Sequence, residues 1–169
     1  MRAALSPLLV LLVSAPAVAS DITWDNYAAF SSDGLLFAYV EGEAPGQLLR
    51  WVSTTTNTIE RTSQLGGSDK STAALSELKE EGLPAPTVTV KIPKQVSAEI
   101  RDGLIYVLFS GMPAAKPFKP FADRVTTTAD GVTVAAVSAD GKRVAVKITG
   151  HIGATGAATP EYHVVSLFE

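Results

Sequence analysis

The sequence predicts a mainly-β fold of antiparallel sheets, packed as a sandwich or as one strongly curved sheet, with one short helix over residues 71–81. Three observations predict it. Short apolar runs with a two-residue period recur along the chain. Asp-Gly stands between such runs four times, at 33–34, 102–103, 130–131 and 140–141. Glycine in that place supplies the positive φ that tight hairpins require. Only one stretch spaces its apolar residues as a helix does.

In order, Tyr27–Ser31 reads as a first short strand. Leu35–Val40, "LLFAYV", is apolar at every position and so reads as buried on both faces. Leu48–Ser53 alternates, and Thr58–Thr62 follows through a Thr/Asn turn. "LGGSD" closes this four-stranded unit. In the helix, Ala74, Leu75 and Leu78 form the stripe. Asp69 or Ser71 is placed to cap its start; Gly82 and Pro84 end it. Ten or so residues do not hold a helix in water, so Leu75 and Leu78 must pack on a sheet. Thr87–Ile92 then alternates, as do Val96, Ala98 and Ile100. "LIYVLF" (104–109) is a second run apolar on both faces. After a proline-rich loop come strands at 125–128, 132–137, 144–148 and 163–168, the first two joined by a turn at Asp130-Gly131.

Residues 1–19 carry a different signal. Arg2 is followed by a short apolar stretch, and Ala17-Val18-Ala19 is a small-x-small site. This reads as a secretory signal peptide cleaved after Ala19. The apolar run is shorter than the roughly 20 residues of a membrane span, and nothing after it approaches that length. Residues 20–169 are then one domain of ordinary size, exported to the periplasm or the extracellular space. The formal net charge is −3, and loss of Arg2 makes it more negative. Such a balance disfavours nucleic acid as a partner, because phosphate backbones select basic surfaces. There is no cysteine, so the core has to hold without disulfides.

"FSSDGLLFAYV" (30–40) and "VSADGKRVAV" (137–146) share Ser-x-Asp-Gly followed by a strand. This resembles the hairpin of TolB-like β-propeller repeats. The likeness extends over residues 27–63, where "QLLRWVSTTTNTIERTS" is similar to the later strands of the same blade. It implies a scaffold that binds a partner and does no chemistry. A complete propeller is not expected: four blades of roughly 40 residues exceed what residues 20–169 supply beside a helix. The outline also resembles secreted bacterial proteins with one such hairpin just after the leader, which implies export.

Chemistry-bearing motifs are sparse. His151 and His163 have no metal-ligand spacing. There is no G-x-S-x-G elbow and no Walker loop. "GHIGATG" (150–156) spaces its glycines three apart and reads as a hairpin loop. No catalytic residue, metal or cofactor is assigned. Glu41 with Glu43, and Asp21 with Asp25 around Trp24, are the carboxylate pairs a glycosidase would draw on. The alternative function is therefore a small exported hydrolase using carboxylates or the two histidines. The candidate binding residues are those of "KPFKPF": Lys116, Phe118, Lys119 and Phe121. A polyproline-type path would place the rings on one edge and the lysines on another, able to grip an envelope protein or a glycan. The competing reading makes the rings lids that close the core.

Overall fold

The computed structural model describes residues 22–124, 126–154 and 156–168. The expected leader (residues 1–19), the expected cleavage site and Asp21 lie outside them. The fold is mainly β, with three antiparallel sheets and one short helix. Sheet one is a meander of β1 (Ala28–Phe30), β2 (Leu36–Glu41), β3 (Leu48–Ser53) and β4 (Thr58–Gln64). Helix α1 (Ser68–Glu80) follows, then sheet three: β5 (Val96–Arg101), β6 (Leu104–Phe109) and the two-residue β7 (Met112–Pro113). Sheet two centres on β9 (Arg143–Ile152), flanked by β8 (Thr127–Val137) and β11 (Glu161–Ser166), with β10 (Gly156–Ala157) folding back on the end of β9.

The layers stack as α1, sheet one, sheet two, sheet three, with an apolar seam between each pair. Ala74 and Leu78 of α1 meet Ala38, Val40, Leu49 and Trp51 of sheet one. Phe30, Phe37, Tyr39 and Val52 meet Ala136, Ala145 and Val164 of sheet two. Val144, Val146, Ile148 and Val165 meet Val96, Ile105 and Val107 of sheet three. So β2 and β9 are the inner strands, covered on both sides, which is why "LLFAYV" and "VAVKI" carry apolar residues at successive positions.

The two Ser-x-Asp-Gly turns are built alike. Ser31 Oγ donates to Asp33 Oδ1 and Ser138 Oγ to Asp140 Oδ1, both at 2.6 Å. The same carboxylate oxygens accept from the N–H of Leu35 (2.9 Å) and Lys142 (3.0 Å). The serine hydroxyls accept in turn from the N–H of Leu36 and Arg143. Gly34 and Gly141 have the same φ, 71°. These bonds to the charged form hold both aspartates below the usual carboxylate range. The turns also lie side by side: a Cβ on Gly34 would stand 3.3 Å from an Arg143 guanidinium nitrogen and 3.6 Å from Ser138 Cβ. Each repeated motif is a self-bonded corner, and the two corners close one end of the seam between sheets one and two.

Four expectations are corrected. Thr87–Ile92 is not a strand; it lies between α1 and β5 without a strand partner, because alternation specifies a face and not an edge to pair with. Asp130-Gly131 is not a turn but lies within β8, where the register shifts between Ala129 and Gly131 as at a bulge. A Cβ there would fall 2.6 Å from Thr149 Oγ1, the hydroxyl that donates to Asp130, so glycine leaves room for that bond. The helix begins at Ser68, and neither Asp69 nor Ser71 caps it. Gly67 holds the N-cap position, and Ser71 Oγ bonds the Leu65 carbonyl instead. Finally, the outward face of β6 is covered only in part, at Leu108. Leu104 and Tyr106 are half-buried there, with the Arg101 guanidinium 5.6 Å from the Tyr106 ring and paired with Glu99.

Candidate functional site

Between sheets one and two, at the mouth of their seam, is a cleft of about 650 Å³. Its chemically important residues are Asp25, Glu41, Glu43, Arg50, Lys147 and Tyr162. The strand register assembles them. Tyr39 pairs with Arg50 across β2 and β3, so Glu41, two residues on, shares their face. Arg50 Nε donates to Glu41 Oε2 at 2.6 Å, and a terminal guanidinium nitrogen donates to Thr62 Oγ1 at 2.8 Å. In sheet two, Tyr162 pairs with Lys147. The Tyr162 ring stacks on Tyr39 across the seam, centroids 4.1 Å apart and planes 21° apart. Lys147 Nζ donates to Asn26 Oδ1 at 3.1 Å. Asp25 Oδ1 accepts from the Gln47 amide at 2.6 Å. Burial pushes the Tyr162 hydroxyl up to about 12 and raises Tyr39 as well, with the Glu41 charge adding to the effect.

Of the carboxylates weighed from sequence, Asp25, Glu41 and Glu43 do meet here. Arg50, Lys147 and Tyr162, which no motif of the sequence singles out, complete the cleft. The arrangement suits recognition better than proton transfer. A glycosidase pair needs one carboxyl free to reach the glycosidic oxygen, whereas Glu41 Oε2 is engaged by the Arg50 guanidinium. Asp25 is occupied by an amide donor.

The two histidines are not brought together. His163 pairs with Val146 on β9, while His151 is five residues further along that strand, roughly 17 Å at strand rise. His151 lies 3.4 Å from Asp130 at the exposed end of the sheet. Among the described residues, no group of three or more His, Asp or Glu is placed to hold a metal ion. The expectation that no Ser-x-x-Lys spacing occurs is corrected: Ser76 and Lys79 have it, on α1. Both residues are exposed and no hydrogen bond joins them among the described residues.

The Lys-Pro-Phe loop turns its rings inward. Phe121 is 2% exposed and belongs to the seam between sheets two and three. Phe118 is half-buried, bridges to Ile105 of β6 and stacks on His163 with centroids 4.1 Å apart. Lys116 and Lys119 face solvent. The four residues therefore do not form one surface; the rings are core lids.

His163 is the point where three parts of the fold meet. It is a β11 residue under Phe118, and a ring nitrogen lies 3.0 Å from the Asn57 amide at the β3–β4 turn. Asn57 Oδ1 accepts the N–H of Val164, so its NH₂ faces the imidazole and requires a neutral acceptor. Burial lowers the His163 pKa from its ordinary 6.5. Below about pH 6.5 the unfolded chain takes up a proton that the folded chain refuses. Stability is therefore full above that pH and is lost as pH falls towards the folded pKa. Urea midpoints at about pH 7.5 and 5.5 should show the drop, and His163→Gln should flatten it; an unchanged slope would refute this role.

No protein-family model, curated protein or solved structure matches the chain.

Proposed function

We propose that the chain is an exported, non-catalytic binding domain of the bacterial envelope, and that it takes a polyhydroxylated ligand, a glycan segment, in the cleft between sheets one and two. The observation that carries this is the pre-set pairing of polar side chains around a tyrosine. Glu41–Arg50, Asp25–Gln47 and Asn26–Lys147 present donors and acceptors at fixed positions. Vicinal hydroxyls, which both donate and accept, match such pairs. Tyr162 adds an apolar surface with a polar tip. Because the groups are already held by one another, little ordering entropy is lost on binding. Export is supported by the leader-like residues 1–19, and a binding role by the likeness to TolB-like hairpins.

The test is calorimetric titration of the purified protein with solubilised peptidoglycan fragments and, separately, chito-oligosaccharides. Saturable binding to one of them is expected, weakened at least tenfold in Glu43→Ala and in Arg50→Gln variants of unchanged melting temperature. Absence of binding to both, or affinity indifferent to the two substitutions, would refute the assignment. Shortening of the fragments during incubation would refute its non-catalytic part and favour the hydrolase.

A further inference from the structure

A second cleft, of about 800 Å³, lies along the β1 edge of sheet one, between α1, the segment that follows it, the first Ser-x-Asp-Gly turn and the end of β8. Its walls are apolar: Phe30, Leu75, Leu83, Val88, Val90 and Val137. Residues 85–88 form a turn, and residues 89–92, "TVKI", then pass along the cleft without a strand's partner. Among the described residues, Val88 N–H bonds the Ala85 carbonyl, while the N–H groups of Thr87 and of Thr89–Ile92, and the carbonyls of 87–92, have no hydrogen-bond partner. Val88 is 54% exposed and Ile92 39%. Pro86 and Pro93 bracket the segment, as prolines bracket strand edges that must not extend.

The charges around this cleft are sorted. Glu77 of α1 accepts from Ser63, and Glu81 just after the helix pairs with Arg61, both towards β4. Lys79 and Lys91 line the cleft, and neither is in an ion pair among the described residues. The lining is therefore apolar with a cationic rim.

We propose that this cleft receives an extended peptide of a partner protein, which adds as a strand along Thr89–Ile92. Its alternate apolar side chains enter the cleft, and its acidic residues meet Lys79 and Lys91. An unpaired backbone row beside an apolar cleft is what strand addition uses: main-chain bonds give affinity, and the cleft selects side chains. An acyl chain would use the apolar walls but leave the N–H and C=O row idle. A second copy is disfavoured by charge, because pairing 89–92 with itself would bring Lys91 and Lys94 of both copies to one edge.

The experiment selects a random octapeptide display library on the purified protein and then titrates the enriched peptide. Enrichment of alternating apolar residues flanked by Asp or Glu is expected. N-methylation of the peptide backbone at alternate residues should weaken binding at least tenfold. The double substitution Lys79→Glu, Lys91→Glu should do the same, and should be rescued by a peptide with its acids changed to lysine. Thr89→Pro, which removes a pairing amide without altering the apolar lining, should also abolish binding. The proposal is overturned if no pattern is enriched, if N-methylation has no effect, or if oleate competes with the peptide at the cleft. It is likewise overturned if sedimentation shows a dimer that Thr89→Pro dissolves.

Discussion

Phe121→Ala should cost about 3–5 kcal/mol of folding stability, as truncation of a buried aromatic does. The ring is closed into the seam between sheets two and three, and the residue is fixed from several directions. Its N–H donates to Glu161 Oε2 at 3.1 Å, its carbonyl accepts from Arg124 N–H at 2.8 Å, and the Arg124 guanidinium stands 5.7 Å from the ring centroid. Its φ is +50°, a strained value for a bulky residue. The strain persists because ring burial outweighs it. Phe121→Gly should therefore lose less than the area alone implies, since glycine relieves the backbone. Lys116→Ala and Lys119→Ala should each stay within about 0.5 kcal/mol. Urea unfolding of the four variants measures this. A loss below about 1 kcal/mol for Phe121→Ala would mean that the ring is not a lid.

Gly150→Ala should be nearly as damaging, by about 1–3 kcal/mol, through overpacking. The new methyl would collide with the Thr128 carbonyl oxygen and fall 2.6 Å from Phe121 Cε2. One of these obstacles is backbone in a paired strand and cannot step aside; the other is the same aromatic lid. The two substitutions should therefore be less than additive, because removing the Phe121 ring frees one of the two collisions. A double-mutant cycle by urea unfolding tests the coupling. Strict additivity would separate glycine from lid and refute the shared contact.

The parts of the fold that were legible in the sequence are those written in local chemistry. Asp33-Gly34, Asp102-Gly103 and Asp140-Gly141 are turns whose glycines have positive φ, and the residues around them say so. "LLFAYV" announces a strand covered on both sides because an exposed face would not be apolar. Asp130-Gly131 has the same two letters and misleads, because a bulge that needs space and a turn that needs positive φ both select glycine. Thr87–Ile92 misleads because pairing is decided by a neighbour that alternation does not name. "LIYVLF" misleads in part, since Arg101 and Glu99 shelter its outer face, which is buried only at Leu108. At the cleft, the acidic members could be picked out as pairs close in sequence. Their context could not: Tyr39 and Tyr162 stack across more than a hundred residues, and Lys147 reaches Asn26 over a similar span. Even the nearer Glu41–Arg50 pair depends on β2–β3 register, which only the assembled sheet defines.

The two-sided strand β11 bears on the order in which the chain can mature. Sheets one and three are each built from neighbouring stretches, 28–64 and 96–113, and close over short loops. β11 contributes Val164 to one seam and Val165 to the other. Neither seam is complete until residues 161–166 have been synthesised and have returned to β9. Until then Phe37 and Tyr39 keep a bare side, and closing it costs the entropy of a loop more than a hundred residues long. Contacts of such long sequence separation are the ones associated with slow folding. Before that closure, the sheet-two side of the first meander is the apolar face left open to solvent.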